Sequence, residues 1–85
     1  SGEGRIIALL GSCYKNGAGV EKDDAQAYEW YRKSAEAGDA DGMALLGVCY
    51  QEGTGVEKDD AQAHEWYRKS GEAGNAMFHF FFSER

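Results

Sequence analysis

Shifting the sequence by 36 positions lays Ala8–Ala40 over Ala44–Ala76 with seven differences in 33 aligned pairs. The longest shared tract reads GVEKDDAQAYEWYRKSAEAG from Gly19 and GVEKDDAQAHEWYRKSGEAG from Gly55. A tandem duplication of this period means that one supersecondary unit is built twice. Each unit has an apolar face that it cannot bury alone, so the units must stack.

Within each unit the apolar spacing is helical. From Arg5 to Asn16 the positions Ile6, Leu9, Leu10, Cys13 and Gly17 follow the i, i+3, i+4, i+7 pattern, and Asp41 to Glu52 repeats it with Leu45, Leu46, Cys49 and Gly53. These are the first helices of two pairs. In the second helices Ala27, Trp30, Tyr31 and Ser34 share one face, and Glu29, Arg32, Lys33 and Glu36 the other. Asp23 with Gln26, and Asp59 with Gln62, mark their starts as capping-box arrangements that satisfy two orphan amides each. Glu-to-Lys pairs four residues apart are expected to support the charged face by about 0.3 to 0.5 kcal/mol each. Trp30 and Trp66 are expected to fill the space between helices, with Gly11 and Gly47 permitting close approach.

The connections NGAGVEK and EGTGVEK place Gly17, Gly19, Gly53 and Gly55 where a helix ends and the chain turns, and Gly38 and Gly74 are expected to end the second helices in the same way. A phosphate-binding Gly-x-Gly loop should follow a strand and open directly into a helix, which this pattern does not offer. The organisation expected is all-α, with a first repeat over 3–38, a second over 39–74 and a partial third helix or tail over 75–85.

The series Leu10-Gly11, Tyr14, Gly17, Gly19-Val20, Asp23, Ala27, Trp30-Tyr31, Lys33 and Gly38 recurs as Leu46-Gly47, Tyr50, Gly53, Gly55-Val56, Asp59, Ala63, Trp66-Tyr67, Lys69 and Gly74. It resembles the Sel-one-like repeat, a relative of the tetratricopeptide repeat. That resemblance implies a right-handed α/α superhelix used mainly to hold other proteins, with the first helices along the concave face.

Charge and chemistry narrow the function further. Nine Lys and Arg against fifteen Asp and Glu give a net charge of −6, with no basic patch to meet nucleic acid. The longest apolar runs, IIALL and MFHFFF, are far short of the roughly 20 residues that span a bilayer. No signal peptide is visible, and the compartment stays open. Cys13 and Cys49 stand at equivalent places on successive first helices, whose axes should lie about 8 to 10 Å apart, beyond the reach of a disulfide. They read as reduced packing residues, in contrast to relatives of this repeat that carry two cysteines per unit. His64 and His79 share no metal-ligand spacing, so neither a metal nor another cofactor is expected.

Two further readings accompany a non-catalytic scaffold. Ser12-Cys13-Tyr14-Lys15 spells the Ser-x-x-Lys of serine β-lactamases, and some cysteine-rich relatives of the repeat have been associated with β-lactams. Neither a Ser-Asp-Asn nor a Lys-Thr-Gly element accompanies it. The other is self-assembly: Phe78, Phe80, Phe81 and Phe82 crowd the tail, where Phe81 and Phe82 align with Leu45 and Leu46, and a dimer through these residues is expected.

The differences between repeats are the remaining signal. Ser12/Val48, Lys15/Gln51 and Asn16/Glu52 fall at i, i+3, i+4 on one face of the first helix, outside its apolar stripe. These six residues are the candidate groove for a peptide or protein partner. Free drift of exposed positions is the competing explanation.

Overall fold

In a computed structural model, residues 2–74 form four helices: α1 (Gly2–Asn16), α2 (Asp24–Glu36), α3 (Ala40–Glu52) and α4 (Asp60–Gly74). No strand occurs among the described residues. The expectations for 75–85, including Phe78, Phe80, Phe81 and Phe82, lie outside them. Helices α1 and α2 pack as one pair and α3 and α4 as the other; α2 packs on α3 to join the pairs, and α1 also touches α3. The result is the expected all-α repeat architecture.

Each turn is closed by backbone geometry that the glycines make available. Gly17, Gly19, Gly53 and Gly55 all have φ between 70° and 79°, in the left-handed region where a side chain would be strained. The Ala18 amide donates to the Cys13 carbonyl and the Thr54 amide to Cys49, both at 2.9 Å, closing the first helices before the chain crosses over.

The second helices begin at the expected caps, with half of the expected box. Asp23 Oδ1 accepts from the Gln26 amide at 3.1 Å, and Asp59 Oδ1 from Gln62 at 3.1 Å. The amides of the caps themselves donate to the carbonyls of Tyr14 and Tyr50, each at 2.9 Å. A main-chain bond back to the preceding helix therefore takes the place of the glutamine side chain, and it fixes the angle of the pair as well. Gly38 takes φ of 89°, whereas Gly74 is the last residue of α4 and has no positive φ, so only the first of these two acts as a turn glycine.

The core departs from the expected stripes. Its cluster is Ala27, Tyr31 and Ala35 of α2 with Leu46 and Cys49 of α3. Tyr31 is 1% exposed, while Trp30 and Trp66 are half-buried and lie under the ammonium groups of Lys33 and Lys69, 4.8 and 4.5 Å from the ring centroids. The tyrosine, not the tryptophan, fills the gap beside the mid-helix glycine. Helix α1 buries Gly4, Ala8 and Gly11, leaving Ile6, Leu9 and Leu10 exposed.

On the charged face the partners also differ from the expected Glu-to-Lys pairs. Arg32 binds both Glu29 at 2.8 Å and Glu36 at 2.7 Å, and Arg68 repeats this with Glu65 and Glu72, both at 2.8 Å. Arginine's forked head reaches both carboxylates at once, which frees each lysine to lie over its tryptophan.

Candidate functional site: a groove between the first helices

Helices α1 and α3 run side by side, and a cavity of about 350 Å³ opens between them, lined by Arg5, Ala8, Leu9, Ser12, Asp41, Ala44 and Leu45. Its floor is made of small and aliphatic side chains. Ala8 and Ala44 occupy the same register in the two repeats, and their short side chains leave the depression open. Arg5 and Asp41, again equivalent positions, bring one charge of each sign to the wall. Ser12 contributes a hydroxyl, which is hydrogen-bonded to the Tyr31 hydroxyl at 3.0 Å.

The six residues expected to form the groove do not all come together. Ser12 lines it. Lys15 and Glu52 bridge α1 and α3 beyond its end, with Nζ 3.6 Å from Oε1, while Asn16 is exposed at the end of α1 and Val48 is half-buried. Gln51 faces the other way: it accepts a hydrogen bond from the Tyr67 hydroxyl at 2.5 Å and lines a second cavity, of about 340 Å³, with Asp60, Ala63, His64 and Tyr67. The reason is the helical rotation of 100° per residue, which carries positions three and four apart to adjacent but distinct neighbours once helices pack on both sides.

The residues missed lie one and two turns towards the N-terminus. Leu9 and Leu45 read as part of the buried stripe because their spacing is that of a core position. Arg5 and Asp41 do carry a signal, a reversal of charge at the same 36-residue offset, just outside the stretch where the repeats align closely.

Ser12 and Lys15 have separate partners, the Tyr31 hydroxyl and the Glu52 carboxylate. Burial pushes the Cys49 thiol up to about 11, with Asp24 and Glu52 adding to the effect and Lys15 opposing it. Both cysteines are free. Tyr28 and Tyr50 meet edge to face with their hydroxyls 2.9 Å apart, and desolvation followed by that hydrogen bond raises the Tyr28 phenol to about 12.

Comparison with known proteins bears on the fold and the family. The Sel1 repeat family model matches residues 7–39 and 40–75. Among solved structures, a Sel1 repeat protein from Oxalobacter formigenes is 39% identical with a TM-score of 0.81, the match covering 91% of this chain and 32% of that one. A protective antigen present in uropathogenic Escherichia coli strains, displaying an SLR fold, is 39% identical with a TM-score of 0.80 over 88% of this chain and 16% of the antigen. Helicobacter pylori cysteine rich protein B is 32% identical with a TM-score of 0.80 over 92% of this chain and 59% of its own. The chain thus spans less than two thirds of each of these proteins. A comparison with curated proteins finds no match. Sel1 repeats serve generally as protein-interaction modules. With two consecutive units matched and the helix pairs stacked as in these structures, the chain belongs to the Sel1 repeat family.

Proposed function

We propose that the chain is a non-catalytic protein-interaction module that takes a peptide or protein segment along the groove between α1 and α3. The observation that carries this reading is the groove itself: an open apolar floor of Ala8, Leu9, Ala44 and Leu45 flanked by Arg5, Ser12 and Asp41. Such a surface rewards an apolar side chain set between polar groups, the pattern of a recognition segment. Leu9 is 59% exposed, so a partner has apolar area left to cover there. The Lys15–Glu52 bridge lies beyond Ser12 and offers charges of both signs to the segment as it leaves the groove.

The test is selection of displayed peptides on the immobilised protein, followed by calorimetry of the selected sequences against wild type and Leu9→Glu. Loss of about tenfold or more in affinity, with the helical circular dichroism retained, is expected for a residue at the centre of a contact. Equal affinity for the two proteins would reject the groove as the binding surface.

A further inference from the structure

Three pairs of positions related by the 36-residue offset line the groove: Arg5 with Asp41, Ala8 with Ala44 and Leu9 with Leu45. Helices α1 and α3 therefore run in the same direction and face each other in register. Two pairs of opposite charge stand along them. Towards the C-terminal ends Lys15 Nζ comes to 3.6 Å from Glu52 Oε1, and these charges neutralise each other across the gap. Towards the N-terminal ends Arg5 and Asp41 stand on opposite walls, and among the described residues neither side chain has an ion pair or a hydrogen bond.

Arg5 is unusual among the cations of this chain. Lys15, Lys22, Arg32 and Arg68 each hold a carboxylate at 3.6 Å or less, and Lys33 and Lys69 lie over tryptophan rings. Among the described residues that leaves Arg5 and Lys58, and Arg5 is the one in the groove. Asp41 stands in the first turn of α3, where the helix dipole already favours a carboxylate. The fold thus gives Asp41 a structural use and Arg5 none.

A wholly apolar segment laid over the groove would strip water from both charges and return nothing to them, a cost that a matching pair removes. The complement is an acid for Arg5 and a base for Asp41. A helical segment, about 10 to 12 Å across, is too wide to sink to Ala8 and Ala44 between helices whose axes lie about 8 to 10 Å apart, whereas an extended chain can enter. Successive side chains of an extended chain point to opposite walls, so the acid and the base are neighbours. Leu9 and Leu45 stand four residues beyond Arg5 and Asp41, about 6 Å along the helices, which an extended chain covers in about two residues.

Given the groove reading proposed above, we infer that its occupant is an extended segment with an acidic and a basic residue side by side and an apolar residue about two positions away. The acid lies over Arg5, whose forked head can hold both carboxylate oxygens, and the base lies over Asp41. The apolar side chain sits between Leu9 and Leu45. Both charges are exposed in the free protein, so the pair serves selection and register more than raw affinity.

The test pans random phage-displayed peptides on the wild-type protein. Enriched sequences are synthesised with both ends capped and measured by calorimetry against wild type, Leu9→Glu and a charge-reversed protein carrying Arg5→Glu with Asp41→Arg. If circular dichroism shows the reversed protein unfolded, Arg5→Gln with Asp41→Asn takes its place, and the readout becomes loss of preference for the peptide over its charge-exchanged form. The expected result is enrichment of a neighbouring acid and base with an apolar residue about two positions off, and binding to the reversed protein about tenfold weaker. Exchanging the acid and base of the peptide should restore that binding, and high salt should weaken the wild-type complex. Peptides that fail on Leu9→Glu but carry no charge pair, or bind the reversed protein equally well, overturn the inference and leave the groove standing. Loss of binding on capping the carboxyl terminus also overturns it, since Arg5 would then hold a chain end and not a side chain. No enrichment, or affinity indifferent to Leu9→Glu, removes the groove reading and the inference together.

Discussion

The Tyr31 ring lies against the backbone of Gly11, so close that a Cβ there would stand 2.7 Å from both Cδ1 and Cε1 and 3.2 Å from the Ala27 carbonyl oxygen. Gly11→Ala gains about 1 kcal/mol of helix propensity but forces a fully buried ring to move, at a cost of about 1 to 3 kcal/mol. Net destabilisation is expected. The equivalent Gly47→Ala meets Tyr67 at a longer 3.0 Å, and Tyr67 is 36% exposed, so its ring has more room to yield than that of Tyr31. It should cost less, and chemical denaturation of the two variants side by side measures the difference.

Gly71 stands where the first repeat has Ala35, inside α4, and nothing lies within 4 Å of a Cβ placed on it. Gly71→Ala is expected to stabilise by about 0.5 to 1 kcal/mol, chiefly by restricting the unfolded chain. A fall in melting temperature would contradict a helix that continues to Gly74.

Leu46 and Leu10 are the same residue at the same place in the repeat, but only Leu46 is buried. Leu46→Ala should cost about 2 to 5 kcal/mol, the range for core leucines, and abolish much of the stability of so short an array. Leu10→Ala, at 40% exposure, should cost well under half as much. Urea midpoints of the two proteins provide the comparison.

Alkaline pH should destabilise the protein through the buried Cys49 thiol and the half-buried Tyr28 phenol. The Cys49 thiol rises from 9.0 to about 11 and the Tyr28 phenol from 10.0 to about 12, so the folded chain holds both protons more tightly than the unfolded one. Stability is then full below pH 9 and falls as pH rises, through Cys49 between 9 and 11 and through Tyr28 between 10 and 12. Tyr28→Phe should flatten the upper part of the decline in a melting-temperature series. Thiol labelling adds an independent reading: Cys49, 0% exposed, should react far more slowly than the half-buried Cys13 in the native state and at a similar rate in urea.

Much of this architecture was legible in the residue pattern. The 36-residue period, the turn glycines and the cap aspartates identify helices, turns and pairing, because these depend on local backbone chemistry and on a spacing that one chain displays by itself. What periodicity could not assign was burial. Trp30 and Tyr31 are neighbours on the same apolar arc, and only the approach of Gly11 selects Tyr31 for the interior. Lys15 and Gln51 are equivalent in sequence, but Lys15 reaches Glu52 whereas Gln51 turns to Tyr67, since α3 has α1 on one side and α4 on the other. Leu10 and Leu46 are identical, and the packing of α3 on α2 alone makes Leu46 core and leaves Leu10 open. A repeat sequence determines which faces are able to pack; how many neighbours arrive, and on which side, is a property of the stack, and that decided both the core and the groove.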